Sequence, residues 1–308
     1  MMSKDNMNLS IVTTTFNSSL TIEKFVSEVS ETLKQQNINT YEIIIVDDGS
    51  IDDTCKKLKK IKKDYTNLSV IELSKNFGHH KALITALEFS KYDKILCIDS
   101  DLEENPSDLK IFLKEINEYD FVYGVQKKRS ASFITNIFGN LFYKFFNFLS
   151  PIKIPQNLTT MTLMNGNVRD ELIKFKEKEI FFHGILHTLG FKKKPILIEK
   201  KFKGKSEYTV SKKINLFFDA ITSFSSGPLR IFFYIGLVIS SFSAVYAIFL
   251  ILRYFALKIS VPGFTTLAIL ILFFGGLIIL GIGIVGIYIQ KIYSEVKKSP
   301  RVTIKNKY

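Results

Sequence analysis

Two unbroken apolar runs, Ile231 to Leu252 and Phe264 to Ile289, stand near the end of this 308-residue chain, and neither contains an ionised side chain. Each is longer than the about 20 residues that cross a bilayer as a helix. Buried core helices of this length without a single charge are the competing reading, and length and composition both argue against it. The preceding 230 or so residues have the mixed composition of a water-soluble domain, so the chain is expected to be a catalytic or binding domain attached to a membrane hairpin.

Charge gives the hairpin a direction. The connector between the runs holds only Arg253 and Lys258, and from residue 229 onward nine basic residues stand against one acidic residue, Glu295. Most flank the outer ends of the hairpin, which by the positive-inside rule places both termini and the soluble domain on the cytoplasmic side of the cell membrane. The start, MMSKDNMNLS, has no apolar signal region, so the domain is not expected to be exported. A net charge of +13 raises the prospect of nucleic acid. No nucleic-acid module accompanies it, and attraction to anionic lipid headgroups is the milder explanation. The two cysteines make no disulfide framework, and Cys97 lies in an apolar run that reads as inert core.

Within the soluble part, apolar strand candidates alternate with helical stretches, the pattern of a mostly parallel sheet with helices on both faces. Strands are expected at Leu9 to Thr14, Tyr41 to Val46, Leu68 to Glu72 and Lys94 to Ile98, and helices at Thr21 to Gln35, Asp53 to Lys63 and His80 to Ser90. Carboxylates follow two of these strands: Asp47 and Asp48 after the second, Asp99 and Asp101 after the fourth. Open α/β sheets bind ligands at such strand ends. A lone Asp-x-Asp triplet is a weak signal. At a strand end, in step with a second acidic strand end about fifty residues earlier, it can hold a hard divalent cation against substrate phosphates.

The segments LSIVTTTFN, EIIIVDDGSIDDT, LSKNFGHHKALITAL and CIDSDLEENPSDL resemble the successive motifs of family-two glycosyltransferases with the GT-A fold. Together with GKSEYTVSKK, AITSFSSGPLR and the two apolar runs, they are similar in particular to the polyisoprenyl-phosphate sugar transferases of the dolichol-phosphate mannose synthase type, in their bacterial membrane branch. The resemblance implies a cytoplasmic GT-A domain over residues 1–212, an amphipathic interfacial elbow over 213–230, and two transmembrane helices with a basic tail over 231–308. It implies that Thr14, Thr15, Phe16, Asp48 and Lys81 border the nucleotide, with Asp48 at the base. It further implies that Asp99 and Asp101 hold Mg²⁺ or Mn²⁺ at the diphosphate, that the reaction inverts the anomeric carbon, and that self-association is open.

The expected partners are a nucleotide-sugar donor, a polyisoprenyl phosphate such as undecaprenyl phosphate, and membrane lipid, with no nucleic acid. A lipid monophosphate, with a second pKa near 6, is already largely a dianion at neutral pH and needs no general base, unlike a sugar hydroxyl. Its acceptor site needs cations, and Lys127, Lys128 and Arg129 follow the strand-like YDFVYG; a solvated charge run is the bland alternative. The chain departs from its relatives at Gln126 and Thr162, where arginine is common. Pro155 to Asn167 resembles the family's acceptor-side loop. The aromatic stripe from Phe133 to Phe148 and the segment Ile214 to Leu229 read equally as core packing or as interfacial helices.

Two rival readings stand beside this one: transfer to a hydroxyl, as in polysaccharide synthases, and an inactive membrane scaffold. The first lacks its Gln-x-x-Arg-Trp motif, since the chain has no tryptophan. Intact carboxylates argue against the second. The Gly281-x-Gly-x-x-Gly286 match lies inside the second apolar run, where small residues serve helix packing, and His183 and His187 lack the glutamate of a zinc protease.

Overall fold

The computed structural model describes residues 7–127, 155, 157–177, 180–200, 227–257, 263–297 and 299–308. All four expected strands form: β1 (Asn8–Thr15), β2 (Thr40–Asp47), β3 (Leu68–Leu73) and β4 (Lys94–Cys97). They pair in parallel in the order β4-β1-β2-β3. Seven of the eight residues of β1 are buried in succession. That is the signature of a strand covered on both faces, where side chains of either orientation must be apolar or small.

One cover is α1 (Ile22–Gln35) with α2 (Thr54–Ile61). Ile22, Phe25, Val26, Val29 and Leu33 recur at helical spacing and are buried, so α1 presents a continuous apolar stripe to the sheet. The opposite cover includes α3 (His79–Glu88), packed on β1 and β2. Cys97 is fully buried in β4, where desolvation pushes its thiol well above the ordinary range, in agreement with an inert core residue.

A short 3₁₀ turn (Pro106–Asp108) leads into α4 (Leu109–Glu115), with Asn105 capping the turn through a bond from the Ser107 amide. Beyond it the sheet changes direction. β5 (Phe121–Gln126), β6 (Leu158–Asn165) and β7 (Lys193–Ile198) extend it, β6 running antiparallel to both β4 and β5. Pro155 to Asn167, likened above to a loop, is therefore mostly strand β6 and the start of α5 (Gly166–Lys174). Its central residues Thr159 to Met164 are all buried between the two flanking strands, which makes the run a sheet interior. Helix α6 (Phe182–Thr188) precedes β7.

The far edge is closed from the other end of the sequence. Strand β8 (Ile304–Lys307) pairs antiparallel with β3, giving the order β7-β5-β6-β4-β1-β2-β3-β8 among the described residues. Residues 299–308 thus belong to the same compact unit as the sheet, although the sequence reading placed them with the helices as a basic tail.

The second unit contains α7 (Gly227–Leu257) and α8 (Phe264–Val296), which cover both apolar runs as continuous helices. Among the described residues one segment, Phe273–Val296, is long and apolar enough to cross a membrane. A Cβ on Gly281 would lie 2.3 Å from the Phe232 ring. The glycine therefore allows α7 and α8 to touch, the packing role expected of this Gly-rich match.

Candidate active site

The carboxyl ends of β1, β2 and β4 converge through side chains that bond one another across loops. Asp48, directly after β2, is 3% exposed and accepts the amide protons of Phe77 and Gly78 at 2.7 and 2.9 Å. Burial raises its pKa against the pull of those two bonds. Gly49 has φ +72°, and a Cβ there would lie 2.3 Å from the Lys75 carbonyl carbon; only glycine lets the β2 loop lie against the segment before α3. Asp48 thereby fixes the position of His79, the first residue of α3.

His79 joins the strand ends. Its Nδ1 lies 2.8 Å from the Thr14 hydroxyl at the end of β1, and its Nε2 lies 3.7 Å from Oδ1 of Asp99. Ser100 Oγ donates to the Thr14 carbonyl at 2.8 Å and locks the β4 exit onto β1. Thr15 is buried and Phe16 is 44% exposed at the mouth of this loop, while Lys81 lies in the first turn of α3.

Asp99 is also held from the antiparallel side. The register Cys97↔Thr162 carries Thr160 opposite Asp99, and the Thr160 hydroxyl donates to Asp99 Oδ2 at 2.8 Å. The chain then turns sharply. Asp101 Oδ1 accepts from the Glu103 amide at 2.9 Å, and Leu102 adopts φ +63°, a left-handed conformation costing about 1–3 kcal/mol in a non-glycine residue and concentrated at functional sites. The turn brings Glu104 back beneath the strand end, where its Oε2 accepts the Asp99 amide at 3.2 Å. Glu104 is 1% exposed, and its Oε1 lacks a hydrogen-bond partner. Lys200, two residues past β7, extends its ammonium to 3.5 Å from Glu104, 3.7 Å from Glu103 and 4.0 Å from Asp99.

Negative charge is in excess here. Burial raises the pKa of both Asp99 and Glu104; Lys200 pulls each of them down, while Asp101 and Glu103 push Asp99 up and Asp99 pushes Glu104 up. Burial acts to lower Lys200, but the four facing carboxylates Glu104, Asp99, Asp101 and Glu103 outweigh it and leave its pKa raised. A strand end with surplus carboxylate oxygens could hold a hard divalent cation. Among the described residues no group of three His, Cys, Asp or Glu side chains is arranged to hold a metal alone.

Sequence reasoning named Thr14, Asp48, Asp99 and Asp101. It missed Thr160, Glu104 and Lys200, and it put His79 in a segment beside the nucleotide pocket without giving it a catalytic role. Lys127 leaves β5 and pairs with Glu199 at 3.3 Å, both side chains being largely exposed. Lys128 and Arg129, and the aromatic stripe after them, lie outside the described residues.

Residues 10–174, more than half of the chain, match Glycosyl transferase family 2. The chain belongs to that family. It is a glycosyltransferase with a GT-A-like α/β fold. The similarity runs well beyond the matched domain: a protein of Synechocystis described as an uncharacterized glycosyltransferase is 32% identical over 96% of this chain and 93% of its own length. A prophage bactoprenol glucosyl transferase homolog of Escherichia coli is 31% identical over 97% of this chain and 99% of its own. A prophage-derived bactoprenol glucosyl transferase of Shigella flexneri is 30% identical over 98% and 99%. The family-two glycosyltransferase therefore aligns with these proteins through α7 and α8 as well as through the sheet.

Proposed function

We infer that this glycosyltransferase moves a sugar from a nucleotide-sugar donor to a polyisoprenyl phosphate, with undecaprenyl phosphate as the acceptor, at the cytoplasmic face of the cell membrane. The observation that carries the reading is end-to-end similarity to proteins named for bactoprenol glucosyl transfer, apolar helices included. A soluble acceptor would give such helices no task. The helices α7 and α8 form a two-span hairpin that keeps the domain beside its lipid, and both termini are cytoplasmic.

The chemistry follows from the acceptor. An oxygen of the lipid phosphate, already a dianion near neutral pH, attacks the anomeric carbon. The bond from that carbon to the donor diphosphate breaks, and its electron pair leaves on the nucleoside diphosphate. Asp99 and Asp101 would hold Mg²⁺ or Mn²⁺, whose bound charge offsets the negative charge gathering on the leaving diphosphate. The protein's own residues set the geometry: Thr160 and His79 orient Asp99, the Leu102 turn orients Asp101, and Asp48 with Thr14, Thr15, Phe16 and Lys81 frames the nucleotide. Lys128 and Arg129, with Lys127, position the acceptor phosphate. A point charge that positions the phosphate need not accept a proton, so no residue is assigned as general base.

The test is product chemistry. Full-length protein in lipid vesicles, given undecaprenyl phosphate, Mg²⁺ or Mn²⁺ and a panel of nucleotide sugars, should yield a lipid whose mass rises by one sugar residue on its phosphate. Replacing Lys128 and Arg129 together with Ala should raise the acceptor KM far more than the donor KM. A product joined through a saccharide hydroxyl, with the lipid phosphate unchanged, would overturn the assignment.

A further inference from the structure

We propose that Lys200 is a built-in counter-cation for the carboxylate loop, standing in the space a divalent ion needs, so that metal and diphosphate bind this enzyme together and the metal alone binds poorly. The proposal rests on the metal reading above and adds a residue and an order of binding to it.

The geometry is that of a shared cation. The Lys200 ammonium lies between Glu104, Glu103 and Asp99 at 3.5, 3.7 and 4.0 Å, close enough to neutralise all three and in tight contact with none. Its side chain is 18% exposed, so the aliphatic stem is packed and the charge is aimed inward. A carboxylate pair engaged by one good ion pair would show a short contact instead, as Lys194 does with Glu115 at 2.7 Å. The Glu104 oxygen that Lys200 faces is Oε1, which is buried and makes no hydrogen bond, so the ammonium is the group that compensates it.

A metal ion bonded to Asp99 would sit about 2 Å from its oxygen, which leaves it a few ångströms from the ammonium. Two cations at that separation in a partly desolvated site repel strongly. Either the lysine withdraws or the metal stays away. A diphosphate resolves the conflict, because its charge can accept the metal on one side and the displaced ammonium on the other. Lys200 is thus a positioning residue that ties metal affinity to the presence of the phosphates and keeps free metal from filling an empty donor site.

Equilibrium dialysis of the full-length protein in detergent, counting protein-bound Mn²⁺ with and without pyrophosphate, tests this. Wild type should take up Mn²⁺ weakly alone and at least about tenfold better with pyrophosphate. Lys200→Met should bind Mn²⁺ alone at least about tenfold more tightly and lose most of the pyrophosphate gain, while Lys200→Arg keeps the wild-type pattern. Lys200→Gln serves the same purpose if the Met variant fails to fold. A folded Met or Gln variant with wild-type Mn²⁺ uptake would overturn the role of Lys200 and leave the metal reading standing. Wild type that takes up no Mn²⁺ under either condition would instead overturn the metal reading itself.

Discussion

Glu72 on β3 and Glu104 after β4 are both almost sealed from solvent, at 8% and 1% exposure, but the company they keep differs in sign. Glu72 accepts from Lys305 at 2.7 Å, Tyr308 at 2.9 Å and Asn306 at 3.2 Å, all in or directly after β8, with Lys59 at 3.4 Å. Burial alone would raise its pKa, yet these donors overcome it and bring it down to about 2. Glu104 meets one ammonium and several carboxylates, and its pKa is raised. The edge of the sheet is electrostatically satisfied and the strand-end loop is not. Unsatisfied charge held in place by a fold is a mark of a site awaiting a ligand, and satisfied charge is a mark of construction.

If that contrast is right, changes at the loop should cost activity and spare the fold. Asp99→Asn and Asp101→Asn are each expected to lower sugar transfer by about 10³-fold or more, because the leaving diphosphate loses its compensating ion. Their unfolding midpoints should stay within a few degrees of wild type. Turnover within tenfold of wild type that also resists chelators would break the functional half of the contrast.

The edge should behave oppositely. Deleting Ser299–Tyr308 removes β8, opens the β3 ladder and leaves Glu72 without three of its donors. Removing the partners of a buried charge typically costs about 3–5 kcal/mol, so differential scanning calorimetry should show the domain's midpoint falling by roughly 10 °C or more. A domain truncated before α7 would carry the same defect, because it lacks β8 as well. An unchanged midpoint after the deletion would show that β8 is ornamental.

These two regions also divide what the chain reveals before it folds. The parallel half was legible because buried β-branched runs and amphipathic helices alternate, and because β1 to β4 and their helices follow one another along the sequence. The position of Asp48, Asp99 and Asp101 at strand ends, where such sheets bind ligands, was legible because each stands just after an apolar run. Glu104, Thr160 and Lys200 were not: they reach the site through a left-handed turn at Leu102, an antiparallel register and the exit of β7, none of which has a local periodic signal. Strand β8 was hidden for another reason. Its sequence IKNK is short and polar, and its basic residues had been counted toward membrane orientation. The structure spends three of those charges on the domain: Arg301 on Glu88, Lys305 on Glu72, and Lys307 over the Phe89 ring at 4.1 Å.

A subtler test isolates Glu72 from the rest of β8. Because its folded pKa lies below the unfolded value of about 4.3, its contribution is fully present above that value and is lost as pH falls toward about 2. Glu72→Gln should therefore destabilise the protein by on the order of 2–3 kcal/mol near neutral pH, and the gap between variant and wild type should close in urea titrations run at successively lower pH. A gap that persists undiminished at pH 3 would assign the effect to packing instead of charge.

The smallest expected effect has the opposite sign and is the sharpest check on the comparison. Glu104 has a folded pKa above its unfolded one, chiefly through burial and then through Asp99. A group raised in this way favours the folded state below its unfolded pKa and loses that advantage as pH rises through the folded value. At pH 8 an ionised Glu104 therefore works against folding. Glu104→Gln removes that charge while keeping an acceptor for the Asp99 amide, and Lys200 still faces Asp99 and Glu103. The substitution should raise stability by about 1 kcal/mol at pH 8, or roughly 2–4 °C in midpoint, with the gain shrinking as pH falls toward 5. On the proposed metal reading, sugar transfer should fall in the same protein, since the loop has lost a negative charge. A Glu104→Gln protein that is less stable at pH 8 would place Glu104 with Glu72 as part of the construction and remove the electrostatic distinction between edge and site.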